Sequence, residues 1–523
     1  MRELKFEELT LEQKLGMVSV ATIGTRQKPD YEEYILDLIK NHSLGCLWVQ
    51  MGSSEDDMPG FVKKAREVAD YPLLIVQDAE SGITDFMVGS HSAIGIAGTE
   101  EHAYAFGKCV GVTARNIGYN MLCDPVLDMR LGSTRSLGLD KDKVASLAVA
   151  MARGMHDAGV LCIAKHYPGG TDAEGIDSHM SEGISKDTVD DLLNYDLYPY
   201  KRLLEENLLD GIMSQHKRFI NIDPDYPGTL SKKVLDIIRS LGFNGVIMTD
   251  SLGMMGIRAR FGHVESKGLA VKAGVDLLLH YAQNNKPEFD AVTKSYEEGF
   301  FDEKILDEAV KRVLATQKKT MLEPKFTSLT EEDIEMFESI NKDSVYANTD
   351  EGVPVSISRN GKHFFVMLVR SGAKLSEGGK MMVDTFTTDW HQPLQLEKRI
   401  IELFPNSEVA MIEQFPGPGQ CARVLKDAIG FDDVVFISFS EQMAYTGPEH
   451  ITRRIESVIN SIQHSKQLST LVHFGNPMVL ENINHVPRCI IGTQSKKGAL
   501  ATLDVLAGLY PPKGKAIYKA NFK

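Results

Sequence analysis

The residues most able to do acid/base chemistry are concentrated between positions 165 and 179, in the stretch KHYPGGTDAEGIDSH. Lys165 and His166 can donate hydrogen bonds to hydroxyl groups of a bound molecule, and the glycines that follow allow a loop to close over a pocket. Asp177 and His179 are two residues apart, so the carboxylate can hold one imidazole nitrogen while the other exchanges a proton. This spacing is compatible with acid/base catalysis, but a surface Asp–His contact or a simple turn explains most pairs of this kind.

A second candidate is Asp250, which follows the apolar run in LGFNGVIMTDSLGM at residues 241–254. A carboxylate at the end of a buried strand can act as a nucleophile toward an electrophilic carbon. The alternative is a helix N-cap, because Asp250 and Ser251 precede a predicted turn. The local pattern leaves both interpretations open.

Seven short, largely apolar runs alternate with amphipathic segments over the first half of the chain. Continuous apolar character is typical of parallel strands that are buried on both faces. Segments such as 143–157 and 187–204 have helical patterns, so the predicted fold class is α/β with a (β/α)8-type barrel. A capping box at Thr10 and Gln13 predicts a helix before the first run. The predicted strands are 44–49, 72–78, 119–124, 160–165, 211–216, 245–250 and 274–280.

Polar or ionisable side chains stand at the ends of nearly all these runs. A barrel places its active site at the carboxyl ends of its strands, so we expect these side chains to converge on one pocket. The alternative is that each caps a strand or begins a solvated loop. The side chains are Asp78, Asp124, Lys165, His166, His216, Asp250 and His280.

The chain of 523 residues is longer than one hydrophobic core usually supports, so two domains are expected. The barrel domain is predicted over residues 1–325. Polar residues from Glu323 onward predict a linker over residues 326–345. New strand-like runs at 363–369, 434–438 and 471–475 then predict a smaller α/β sandwich domain over residues 346–523.

Composition argues against several classes of function. Lys+Arg 57 against Asp+Glu 72 gives a net charge of −15, which disfavours nucleic acid or an anionic membrane as a partner. The first residues are acidic where a signal peptide would be apolar, and no run is long enough to span a membrane, so the expected location is cytoplasmic. The six cysteines form no CxxC pair, and HExxH and EF-hand motifs are absent, so no metal or cofactor is expected.

The stretch 165–179 resembles the Lys-His-Phe-Pro-Gly-His-Gly…Asp-Ser-His signature of glycoside hydrolase family 3, in its β-N-acetylglucosaminidase branch. The resemblance implies a general acid/base role for Asp177 and His179, and substrate binding by Lys165 and His166. The segment around Asp250 resembles the Gly-Phe-Asp-Gly-Val…Ser-Asp-Asp-Leu-x-Met segment of the same family, which implies that Asp250 is the nucleophile.

Three further strand ends resemble motifs of this family. The run QDAESG resembles Asp-x-Glu-Gly-Gly and implies that Asp78 binds sugar hydroxyls. The run PVLD followed by RSLG resembles Pro-Val-x-Asp…Arg-Ser-Phe-Gly and implies a substrate contact for Arg135, whereas Arg130 matches no motif position and is interpreted as structural. The run MSQH resembles Met-x-Ala-His and implies that His216 lines the same pocket.

The chain departs from the family pattern at four positions that bear on the exact sugar. Gly170 replaces the histidine of Pro-Gly-His-Gly, and Ser81 replaces the first glycine of Asp-x-Glu-Gly-Gly. Gln215 replaces a small residue, and Ser251 stands at the position of the second aspartate. The proposed chemistry does not require the family residue at any of the four.

The resemblance therefore implies a retaining exo-glycosidase that removes terminal β-linked N-acetylglucosamine and has carbohydrate as its partner. A histidine that has given up its proton is neutral and does not repel an anion, so phosphate could compete with water as acceptor. The alternatives are a β-glucosidase or β-xylosidase of the same family, or a noncatalytic sugar-binding protein on the same fold. The oligomeric state stays open.

Overall fold

In the described part of the chain, two large sheets organise the molecule, and each has its own hydrophobic core. The first is an eight-stranded barrel and the second a six-stranded mixed sheet, which confirms the predicted fold class. The computed structural model describes residues 2–24, 29–50, 58–130, 133–171, 177–280, 282, 284–369, 372–375, 381–384, 393–431, 433–440, 449–465 and 468–518.

The strands of the barrel run parallel to one another, and a bridge between Met248 and Leu277 nearly closes the ring. Seven of them coincide with the apolar runs found in the sequence. The first strand, Ser19–Ile23, was not predicted, because only Val18 separates it from the helix Leu11–Met17 and the helical pattern runs into it. In chain order, the described barrel strands are Ser19–Ile23, Cys46–Val49, Leu74–Gln77, Met121–Leu122, Leu161–Tyr167, Gly211–Ser214, Val246–Thr249 and Leu278–Leu279.

Both faces of the barrel strands are apolar, because one face fills the interior and the other packs on the helices. Val76 and Met248 belong to the interior cluster, whereas Ile75 and Ile247, one residue earlier, belong to the cluster beneath the helices. This alternation explains why the strands appear in the sequence as continuous apolar runs.

Helices surround the barrel, and several begin at a side chain that accepts a backbone hydrogen bond. Thr10 forms the predicted capping box with Gln13. No helix in the described ranges is long and apolar enough to cross a membrane. The helices are Leu11–Met17, Pro29–Lys40, Met58–Val68, His91–Ala97, Glu100–Ile117, Lys141–Asp157, Val189–Asp191, Tyr198–Glu205, Lys232–Ser240, Met255–Arg258, His263–Ala273, Lys286–Glu297, Glu303–Lys319 and Glu331–Asp343.

The last of these helices lies within residues 326–345, the stretch predicted to be a linker. It packs on the barrel helix Glu100–Ile117, where Lys108 Nζ lies 2.7 Å from Asp333 Oδ1 and the Phe337 ring stacks on Phe106. This segment is therefore held against the barrel rather than extended through solvent.

The second sheet is parallel except for the strand Tyr346–Thr349, which pairs antiparallel with Arg488–Gly492. Its strands, in spatial order, are Tyr346–Thr349, Arg488–Gly492, Leu468–Phe474, Asp433–Phe439, His363–Val369 and Glu408–Glu413. The helices around it are Pro393–Leu403, Pro418–Asp427, Arg453–His464 and Lys496–Leu506.

A buried carboxylate holds the last two barrel strands together. Asp276 is fully buried, and its Oδ2 accepts hydrogen bonds from the Ile247 N–H at 2.8 Å and from Arg239 at 2.7 Å. Its Oδ1 accepts from Arg312 Nε at 2.7 Å. The sequence analysis assigned Asp276 no role, because an Asp inside an apolar run carries no mark of its tertiary partners.

We expect Asp276→Ala to lower the free energy of unfolding by about 3–5 kcal/mol, because it leaves two arginines and a strand N–H without their acceptor. Urea denaturation of the full chain measures this change. Asp236, which is half exposed and pairs with Lys232, provides the matched control, with an expected change within about 0.5 kcal/mol. Equal losses for the two variants would contradict this role for Asp276.

Candidate active site

A buried lysine organises the centre of the site. Lys165, in the fifth barrel strand, has a 2% exposed side chain, and its ammonium group contacts Asp78 and lies 2.6 Å from Glu80 Oε1. Burial opposes its charge, but the two carboxylates outweigh that effect and raise the pKa of Lys165. The Asp78 side chain is 40% exposed, so this carboxylate still has an open side toward solvent.

Arg135 joins the same cluster through Glu80. Its Nε and Nη2 lie 2.7 and 2.6 Å from the two oxygens of that carboxylate, which is the bidentate geometry of a strong ion pair. Burial opposes ionisation of Glu80, yet Arg135 and Lys165 outweigh it and hold the pKa of Glu80 well below its ordinary value. Two carboxylates and two cationic side chains are thus fixed relative to one another at the mouth of the barrel.

His166 is held in one orientation by contacts on both ring nitrogens. Its Nδ1 lies 2.6 Å from Asp128 Oδ2, and its Nε2 lies 3.2 Å from Arg135 Nη2. A guanidinium can only donate, so the two contacts leave the ring one orientation, with Nδ1 toward Asp128 and Nε2 toward Arg135. The imidazole therefore lies between the sugar-binding candidates in a fixed position.

Asp250 follows the seventh barrel strand and is partly exposed. Its Oδ1 accepts from the Ser251 N–H at 2.6 Å. Burial opposes ionisation, but the imidazoles of His166 and His216 and the Ser251 N–H outweigh it and lower the pKa of Asp250. The next helix begins at Met255, five residues later, so Asp250 does not act as its N-cap.

Asp177 and His179 form the contact that their spacing predicts. His179 Nδ1 lies 2.7 Å from Asp177 Oδ1, and the same oxygen accepts the His179 backbone N–H at 2.9 Å. The His179 side chain is 30% exposed. The middle of the predicted loop, residues 172–176, lies outside the described residues.

The dyad is attached to the segment that follows Asp250. The Met255 N–H donates to the His179 carbonyl at 3.3 Å, and the Gly256 N–H donates to the Ser178 carbonyl at 3.0 Å. These two bonds bring the dyad and Asp250 to the same rim of the barrel. The sequence predicted that Asp250 and His179 serve one site, and this backbone pairing is consistent with it.

His216 is fully buried and bonded within the protein. Its Nε2 donates to the Ser251 carbonyl at 2.8 Å, and its Nδ1 lies 2.9 Å from Thr229 Oγ1. Burial lowers the pKa of His216. His216 thus holds the residue next to Asp250, and neither ring nitrogen points to a ligand.

Two of the polar strand ends are buried within the protein. Asp124 is fully buried and lies 2.9 Å from His91 Nε2. His280 is buried against Phe289. The strand ends therefore converge only in part, because a side chain at the end of a strand can also turn into the layer beneath it.

Carboxylate side chains contact the first residues of the loop that leads from the fifth barrel strand to Asp177. Gly170 has a φ of +87°, and a Cβ there would lie 2.7 Å from the Phe219 ring, so the loss of the family histidine has a steric reason. Its N–H donates to Asp196 at 2.9 Å. Arg130 bridges Asp196 and Asp187 at 3.0 and 3.1 Å, which agrees with its interpretation as a structural residue.

Sequence reasoning gave no role to Glu80 or Asp128, although both stand inside the motifs that it quoted. Their importance appears only when Lys165, Arg135 and His166 are seen to share them. No cluster of three or more His, Cys, Asp or Glu side chains suited to a metal ion occurs among the described residues.

The sequence profile of the glycosyl hydrolase family 3 N terminal domain matches residues 10–316, more than half of the chain. This chain belongs to glycosyl hydrolase family 3. A β-hexosaminidase of Idiomarina loihiensis is 30% identical over 249 residues, which cover 45% of this chain and 74% of the relative. A β-hexosaminidase of Tolumonas auensis is 32% identical over 243 residues, which cover 44% and 72%.

The family 3 architecture also extends over the second sheet. A β-N-acetylglucosaminidase of family 3 from Paenibacillus sp. str. FPU-7 superposes with a TM-score of 0.80 at 24% identity, covering 98% of this chain and 100% of that one. This likeness shows that each of the two domains has the same fold as its counterpart in that enzyme. The family 3 chain is accordingly a β-hexosaminidase-like glycosidase, which disfavours the noncatalytic alternative.

Proposed function

We propose that this family 3 enzyme is a retaining exo-glycosidase that removes terminal β-linked N-acetylglucosamine. The observation that carries the proposal is the backbone pairing between the dyad loop and the segment after Asp250, which brings a carboxylate and an imidazole to one rim. Retention requires these two groups on opposite faces of the sugar. The β-hexosaminidase relatives support the choice of sugar.

Asp250 is the nucleophile in this proposal. Its lowered pKa keeps the carboxylate ionised, so that an oxygen lone pair can attack the anomeric carbon as the bond to the leaving oxygen breaks. His179 donates its Nε2 proton to that leaving oxygen, and Asp177 stabilises the imidazolium and fixes its orientation. In the second step, His179 takes a proton from water, whose oxygen displaces Asp250.

Asp78, Lys165, Arg135 and His166 bind the hydroxyl groups of the sugar. Asp78 has exposed oxygens that can accept, whereas Lys165 and Arg135 have N–H groups that can donate. Their mutual ion pairs hold them in place before substrate arrives, which lowers the entropic cost of binding. His216 acts on the same site through the Ser251 carbonyl rather than through a sugar contact.

We expect a 2-fluoro glycoside with a dinitrophenyl leaving group to label Asp250, detected by intact mass and peptide mapping. Because the Asp250 pKa is lowered, labelling should keep its rate from pH 7 down to about pH 5, above the ordinary Asp range. Asp250→Asn should abolish labelling, whereas Asp236→Asn should not. An active enzyme that is never labelled would contradict a covalent Asp250 intermediate.

Replacing His179 by Ala should lower kcat by about 10²–10⁴-fold for glycosides whose leaving group needs a proton. Dinitrophenyl glycosides should be affected much less, and azide should restore turnover by forming a glycosyl azide. His485, which pairs with Asp350 on the surface of the second domain, is the matched control. Equal losses on both types of leaving group would count against an acid/base role for His179.

The sugar itself is tested by comparing p-nitrophenyl glycosides. We expect kcat/KM for the β-N-acetylglucosaminide to exceed those for the β-glucoside and β-xyloside by about tenfold or more, since a site built to hydrogen-bond a group discriminates against its absence. A preference for the glucoside or xyloside would favour the alternative assignment.

The same assay, repeated at high phosphate concentration, tests the second acceptor. A neutral imidazole does not repel an incoming anion by charge, so sugar 1-phosphate is expected beside the free sugar. If no sugar 1-phosphate forms, water is the acceptor and the phosphate hypothesis is wrong, while the glycosidase proposal is unaffected.

A further inference from the structure

A carboxylate from the second domain reaches the barrel next to Arg135. Glu449 Oε1 accepts from the Thr134 N–H at 3.2 Å and from the Thr134 hydroxyl at 2.8 Å. Its Oε2 accepts from Ser440 Oγ at 3.2 Å, and the Ser440 hydroxyl oxygen also accepts the Asn476 N–H at 3.0 Å. Glu449 thus links the carboxyl end of Asp433–Phe439, an inner strand of the second sheet, to the loop after the fourth barrel strand.

The C-terminal segment reaches the same loop from another direction. Tyr518 is buried, and its hydroxyl donates to the Ser133 carbonyl at 2.7 Å. The segment before it is held by the Gly514 N–H, which donates to the Val345 carbonyl, and by the Lys515 N–H, which donates to the Ile96 carbonyl, both at 2.9 Å. Two successive residues, Ser133 and Thr134, are therefore bound by parts of the chain more than 300 positions away.

These contacts fix the backbone from which Arg135 extends. The Arg135 N–H donates to Ser133 Oγ at 3.2 Å, and the Thr134 carbonyl accepts from the Ser92 N–H at 2.9 Å. With its backbone held on this side and its guanidinium held by Glu80 on the other, Arg135 has little freedom left. The side chain remains 30% exposed, so it can still contact a ligand.

We propose that Glu449 and Tyr518 are positioning residues for Arg135, so that the second domain completes the sugar site without contacting the sugar. This inference rests on the proposed role of Arg135 in sugar binding. A binding group must be held within a fraction of an ångström to act, and a loop alone holds its residues less well than packed elements do. Glu449 and Tyr518 supply that support from outside the barrel.

A simple domain contact would affect stability alone, whereas a positioning contact also affects binding. We therefore expect Glu449→Ala, in the full chain, to raise KM for the β-N-acetylglucosaminide about tenfold with kcat changed less than about threefold, because displacements well below 1 Å are costly at such sites. Thr134→Val and Tyr518→Phe should raise KM in the same direction. Glu449→Ala combined with Thr134→Val should be less than additive, since both remove one contact.

Glu456 provides the matched control. It is a buried carboxylate of the same domain, but its contacts are with Arg453 and Asn482, which belong to that domain too. Glu456→Ala should lower the melting temperature and leave KM unchanged. An equal rise of KM in both variants would overturn the positioning role, as would an unchanged KM in Glu449→Ala.

Hydrogen exchange of the peptide 133–138 tests, without any substrate, whether Glu449 holds the backbone before Arg135. Glu449→Ala removes the acceptor of the Thr134 N–H, so exchange of this peptide should become faster, whereas Glu456→Ala should not change it. Unchanged exchange in Glu449→Ala would overturn the proposal. A wild-type chain with no glycosidase activity would contradict the proposed function instead. The exchange result would then test only whether Glu449 holds the backbone of residues 133–138.

One more outcome would overturn the positioning role in a different way. If Glu449→Ala lost most of kcat with an unchanged KM, and azide restored the rate, Glu449 would exchange protons with the substrate directly. Its contacts with Thr134 and Ser440 argue against that, because they occupy both carboxylate oxygens.

Discussion

The burial of one positive charge is the constraint on which the site depends. Lys165 is almost inaccessible to water, and an unpaired ammonium at such a position would cost several kcal/mol. Asp78 and Glu80 must therefore stay beside it, and Glu80 in turn holds Arg135. This chain of charges ties the ends of the third and fifth barrel strands to the loop after the fourth, so the pairs that satisfy a buried charge also fix the side chains proposed to bind the sugar.

The barrel provides the geometry that makes such a cluster possible. Parallel strands bring their carboxyl ends to one side, so residues more than 80 positions apart in sequence meet there, as Asp78 and Lys165 do. The opposite side carries carboxylates such as Asp276 that tie strands to helices. Charged groups thus form the proposed sugar site at one end of the barrel and tie strands to helices at the other.

The candidate catalytic groups are held more by backbone than by side chains. The dyad loop pairs through its carbonyls with the N–H groups of Met255 and Gly256, and His216 holds Ser251 by its carbonyl. These bonds are made by main-chain atoms and by His216, and they use no side-chain atom of Asp250 or His179. The two residues that differ from the family pattern nearby fit in different ways. The Ser251 carbonyl accepts from His216, whereas the Gln215 side chain donates from Nε2 to the His166 and Gly169 carbonyls at 3.0 and 2.6 Å.

Apolar runs and short spacings are local properties of a chain, and they were enough to predict the α/β class, the barrel and the motif residues. The Asp177–His179 contact is local too, and it was predicted from spacing alone. The long-range contacts appear only in the folded molecule: Asp124 and His280 are buried, and Glu80, Asp128 and Glu449 contact Lys165, His166 and Thr134. Those contacts depend on partners distant in sequence, and a carboxylate in a linear chain does not reveal which charge or N–H it will meet.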